Sequence, residues 1–105
     1  MLNDMDQHTL VSRFIEATCH LAGITMHPFG SDWPHWSFHD NGNDLFLCIR
    51  KCDLRTEDSP YVFKIRIRDG YENMEHLIKK KAKLAALMEV VFRDSGLPFA
   101  NYNLN

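Results

Sequence analysis

Nowhere in its 105 residues does the chain carry the run of about 18 apolar side chains that a membrane-spanning helix needs. The opening Met1-Leu-Asn-Asp-Met-Asp is acidic and lacks the basic-then-apolar order of a signal peptide, so a cytoplasmic protein is expected. There are only three cysteines, Cys19, Cys48 and Cys52, and an odd few in a short chain argues for reduced thiols over a disulfide framework. Neither Cys-x-x-Cys nor His-Glu-x-x-His occurs, which removes the two commonest zinc signatures. The five glycines are scattered through turns, so no glycine-rich loop is present to cradle a phosphate, and no cofactor is expected. Net charge is nearly absent as well, at −2. That total hides an asymmetry, because residues 1–59 hold 4 basic and 9 acidic side chains and residues 60–105 hold 8 basic and 5 acidic. Such a field steers partners without dictating a fold.

What is present centres on Pro60–Gly70. Tyr61, Phe63, Ile65 and Ile67 alternate with Lys64, Arg66 and Arg68, and successive strand side chains point to opposite faces. One face must be buried, and the other is a row of cations. Before it, residues of about 5–22 read as a helix with Leu10, Val11, Phe14, Thr18, Leu21 and Ala22 as its apolar stripe. Asp4 and Asp6 suit the positive end of that helix, and Gly23 with Ile24 forms a left-handed stop. Residues 24–32 read as a connection with room for a short edge strand near Ile24–His27, since Pro28 excludes a central one. From His35 the pattern sends Trp36 and Phe38 one way and His35, Ser37 and His39 the other. Asn41-Gly42 is a strong hairpin signal, and residues 44–51 form the return strand.

After a charged loop over 52–59 and the strand just described, Asp69-Gly70 and Glu72 offer a capping box for a second helix of about 71–94. Its stripe is Met74, Leu77, Ile78, Leu84, Ala85, Met88, Val91 and Phe92, and Ser95-Gly96-Leu97-Pro98 stops it. Phe99 and Tyr102 are placed to pin the tail. The expected fold is a single α+β domain over 1–105, with 1–4 and 98–105 as partly flexible tails. Its order is α-β-β-β-α, a three-stranded antiparallel meander with two helices packed on one face.

Candidate chemistry is sparse. Strand spacing sets His35 and His39 about 13 Å apart, too far to share a zinc whose nitrogen ligands sit at about 2 Å, so no metal site is expected. Cys48 could meet His35 or His39 across the hairpin, but no third group completes a catalytic set. The chain is therefore read as not an enzyme.

Lys79-Lys80-Lys81-Ala82-Lys83-Leu84-Ala85-Ala86 resembles the Lys-Lys-x-Ala-Lys-x-x-Ala-Ala run with which the double-stranded RNA-binding domain grips phosphates. The element order is similar to that family's, and Gly30–Phe38 is loosely similar to its Gly-Pro-x-His segment. The resemblance implies nucleic-acid binding through Lys79, Lys80 and Lys83 with Arg68. By the 3.6-residue repeat, positions 79, 80 and 83 share a solvent face.

The main expectation is a small non-catalytic protein-binding module of bacterial or phage accessory or inhibitor type. It would dock on a larger partner through the outer sheet face, using Phe46, Arg50, Lys64, Arg66, Arg68, His35 and His39. Mixed aromatic and arginine surfaces are where interfaces concentrate. A homodimer through that face is the variant of this reading, and nucleic-acid binding through the lysines is the alternative.

Overall fold

A computed structural model describes residues 4–32, 35–53, 55, 58–68 and 74–101. The elements are α1 (Asp4–Leu21), β1 (Met26–Asp32), β2 (His35–Asp40), β3 (Leu45–Lys51), β4 (Tyr61–Ile67), α2 (Met74–Asp94) and β5 (Phe99–Asn101). The result is an α+β fold with two helices and a five-stranded mixed sheet in the order β1-β2-β3-β4-β5. Strands β1 to β4 pair antiparallel, and β5 lies parallel to β4.

The sheet thus has five strands where the sequence predicts three. The predicted connection over 24–32 is a full edge strand, with its register shifted by a bulge between Pro28 and Gly30. Proline is tolerated there because one side of an edge strand needs no ladder partner. The predicted tail supplies β5, whose Phe99 lies opposite Tyr61, and the Tyr61 N–H donates to the Pro98 carbonyl at 2.9 Å. The side chains of Asp4 and Asp6, the Asp69-Gly70-Glu72 capping box and Tyr102 lie outside the described residues.

Alternation accounts for the three middle strands. Inward rows run Phe38–Leu47–Ile65 and Trp36–Ile49–Phe63 across β2, β3 and β4. They join one buried cluster with Val11, Ile15 and Cys19 of α1 and Leu84, Met88, Val91 and Phe92 of α2. The buried line of α1 runs one residue over from the predicted stripe. Leu10, Phe14 and Leu21 are exposed, Leu21 by 87%. Two apolar rows lie side by side on this helix, and periodicity alone does not say which meets the sheet. On α2, Met74 and Ile78 likewise face solvent.

The hairpin between β2 and β3 forms with a different turn from the one predicted. Asn43, and neither Asn41 nor Gly42, takes the positive φ (56°), and its N–H donates to the Asp40 carbonyl at 3.1 Å. Both helices end as predicted. Ile24 N–H reaches the Cys19 carbonyl at 2.8 Å past Gly23 (φ 82°), and Leu97 N–H reaches the Phe92 carbonyl at 3.2 Å past Gly96 (φ 68°). A Cβ on Gly23 would meet nothing within 4 Å, so substitution there strains only the backbone. Gly23→Ala is expected to lower stability by about 1–2 kcal/mol, the penalty of a side chain in left-handed backbone. An unchanged urea midpoint would show that this turn relaxes freely.

Candidate functional site: the outer face of the sheet

The same alternation that fills the core sends a second set of side chains outward. Register lines them up in rows that cross the sheet. The first row is His27 on β1, His39 on β2, Phe46 on β3 and Arg66 on β4, each directly opposite the next. The rings of His27 and His39 lie 5.5 Å apart. The Arg66 guanidinium sits over the Phe46 ring, 5.5 Å from its centre, as cation–π attraction favours. The bulge turns Phe29 into this row, 5.6 Å from His39 and 6.2 Å from Phe46, edge-on to both. Phe29 is 68% exposed, a large apolar surface for a lone edge residue. The His39 Nδ1–H donates to the Asp40 carbonyl at 3.0 Å, and His27 bonds the Asn41 side chain through its ring Nε2.

The second row is Ser37, Cys48 and Lys64, and the third is His35, Arg50 and Val62. Together they bound a depression of about 480 Å³. Cys48 therefore stands opposite Ser37, with its sulfur 3.9 Å from the Ser37 hydroxyl. His35 and His39 each lie one row away from it, opposite Arg50 and Phe46. Cys19 is buried in the core, where loss of hydration pushes its thiol up to about 11 and leaves it unreactive. Among the described residues, no three of the His, Cys, Asp and Glu side chains gather as a metal-binding set.

The outward side chains of β2, β3 and β4 include Arg50, Lys64 and Arg66, with Arg68 just beyond, and no carboxylate. All four cations are exposed. Among the described residues, Arg50, Lys64 and Arg66 form no ion pair. The structure thus brings Phe46, Arg50, Lys64, Arg66, His35 and His39 onto one surface and adds His27 and Phe29 to it. Their i, i+2 spacing was the available signal for those two, but Pro28 between them reads as a strand breaker.

The lysines of α2 are placed differently. Lys80 is only 26% exposed and donates to the buried carboxylate of Asp40 at 2.5 Å, so it does not share the predicted solvent face. Lys83 donates to the Ala22 carbonyl at 2.7 Å, where it caps the end of α1. Lys79 pairs loosely with Glu75 one turn earlier, at 3.8 Å. Asp40 points to the helix side of the sheet and Arg66 to the other, so the strand cations and Lys80 occupy opposite layers.

Asp40 also accepts the N–H groups of Asp44 at 2.7 Å and Leu45 at 3.2 Å. Burial pushes its carboxyl up. The Lys80 hydrogen bond, the Leu45 and Asp44 amides and the Lys80 charge outweigh that, holding it below the usual carboxylate range. No protein-family model, curated protein or solved structure matches the chain.

Proposed function

We propose that the chain is a non-catalytic binding module, an accessory or inhibitor protein that docks on a larger protein through the outer face of its sheet. The observation that carries this is the unbroken row His27–His39–Phe46–Arg66, flanked by an exposed Phe29 and by Arg50, Lys64 and Arg68. Exposed aromatic rings beside guanidinium groups are the composition of interface centres, where a few such residues carry most of the binding energy. The reading rests on a layering in which both helices cover the inner face. The single buried cluster, which draws on α1, α2 and the inward rows, supports it. A nucleophile opposite a serine, with both histidines displaced by a row, favours binding over catalysis.

The test is affinity capture from native lysate with and without nuclease, comparing the wild-type chain with an Arg66→Glu/Arg68→Glu double variant and with Lys79→Glu. One stoichiometric protein is expected on the wild type and on Lys79→Glu, with recovery on the double variant reduced about tenfold or more. Equal recovery on all three would remove the outer face from the function. Material that disappears on nuclease treatment would transfer the assignment to nucleic acid and to Lys79, Lys80, Lys83 and Arg68.

A further inference from the structure

The docking reading leaves open what the partner presents, and the chemistry of the face narrows it. We infer that the face takes an acidic protein segment. That segment would lay an apolar side chain into the depression between His35, Cys48, Arg50, Val62 and Lys64 and set carboxylates against Arg50 and Lys64. This rests on the docking reading and goes beyond it by naming the partner's chemistry.

Charge complementarity is the first argument. Arg50 and Lys64 are exposed, lie on neighbouring strands one row apart, and form no ion pair among the described residues. A guanidinium fork and an ammonium so placed are ready to donate to carboxylates, with the arginine able to engage one through two hydrogen bonds. Between them, β4 turns Val62 outward, and it is nearly buried by its neighbours, giving the depression an apolar floor. A partner that brought only charge would leave that floor wet, whereas an apolar residue among acidic ones satisfies both parts.

Two other occupants fit less well. A second copy meeting this one across a two-fold axis would set the same patch against itself, and Arg50, Lys64 and Arg66 would then face like charges. Single-stranded nucleic acid needs open aromatic faces on which bases can stack. Phe46 has one face under the Arg66 guanidinium and is met edge-on by Phe29, so Phe29 is the one widely exposed phenylalanine on this face among the described residues.

The experiment selects a phage-displayed random dodecapeptide library on the full-length chain, then measures binding of the recovered peptides by fluorescence anisotropy. The expected result is enrichment of Asp and Glu around a Phe, Leu or Ile. Affinity should fall about tenfold or more in an Arg50→Glu/Lys64→Glu variant and should weaken with salt. An Arg50→Gln/Lys64→Gln variant, which removes charge without reversing it, should show a smaller loss in the same direction. Circular dichroism should report unchanged folding, since both side chains are exposed.

Recovery of no peptide, of peptides without acidic enrichment, or of peptides indifferent to both variants would overturn the inference. So would displacement of the peptides by a thymidine oligonucleotide of equal length at lower concentration. The two readings fail separately. If Arg66→Glu/Arg68→Glu abolishes lysate capture while the library yields neutral peptides, docking stands and the acidic partner is wrong. If that variant captures normally, the face itself is wrong.

Discussion

Phe92→Ala is expected to remove about 3–5 kcal/mol of stability, the range for truncating a buried phenylalanine. Phe92 has no solvent exposure and is the hub of an aromatic cluster. Its ring lies 5.9 Å from Phe63 and nearly parallel to it, 5.7 Å from Phe99 and 5.6 Å from Tyr61. Truncation would open a cavity where the Phe92 ring now sits among three others, and rings held by β4 and β5 cannot all collapse into it. A domain of this size holds on the order of 5–15 kcal/mol in total, so the variant should sit near the edge of folding. Phe92→Leu, which keeps most of the volume, should lose less than about 1.5 kcal/mol. Urea unfolding followed by the fluorescence of buried Trp36 measures both. β5 should loosen first, because Phe99 stacks on Phe92 and Phe63 and the strand is three residues long. Amide exchange at Ala100 should therefore accelerate more than exchange at Leu47. A loss below about 1 kcal/mol would mean that the end of the sheet can repack without this ring.

How far this architecture could be read from the chain differs from element to element. β2, β3 and β4 were legible because each alternates cleanly, and the inward and outward sets follow from a period of two. β1 was not, because Pro28 and Gly30 interrupt the pattern and the bulge changes the register between them. β5 was not, because three residues carry no period and its partner strand is remote in sequence and parallel, a pairing that no local turn announces. The candidate surface was legible to the same extent as its strands. His35, His39, Phe46, Arg50, Lys64 and Arg66 follow from alternation, whereas His27 and Phe29 depend on the edge strand.

The lysine run shows the opposite weakness. Lys79, Lys80 and Lys83 look like one solvated face, and composition cannot reveal that Lys80 has a buried carboxylate within reach. Only the tertiary arrangement supplies that. α1 ends and α2 begins at the hairpin end of the sheet, so the helices run antiparallel there. Lys83 meets the end of α1, and Lys80, one turn earlier, meets the end of β2. What reads as a phosphate-binding motif is, for these two residues, the bracket that ties α2 to the rest of the fold.

That bracket carries the second large effect. Asp40 is 1% exposed and takes three hydrogen bonds, from Lys80, Asp44 and Leu45. Asp40→Ala should cost about 2–4 kcal/mol at neutral pH, because it strands two amide donors and a half-buried ammonium together. The lower part of that range reflects the 26% exposure of the Lys80 side chain, which lets water reach it. The pH dependence follows from the direction of the shift. In the unfolded chain an aspartate titrates at about 3.9, and in the folded protein Asp40 is held below that. The folded state then holds fewer protons than the unfolded state between those two values. The stabilisation is complete above the unfolded value and is lost as pH falls through the folded one. Wild-type urea midpoints should therefore fall on acidification below about pH 4 more steeply than those of Asp40→Asn, which has no charge to neutralise. Lys80→Met separates the parts. It leaves both amide donors in place but removes the ammonium, so the burial penalty on Asp40 is opposed more weakly and the acid-induced loss should shrink. Parallel acid profiles for wild type and Asp40→Asn would mean that the carboxylate is not held charged by its partners. The hairpin would then be organised by hydrogen bonding alone.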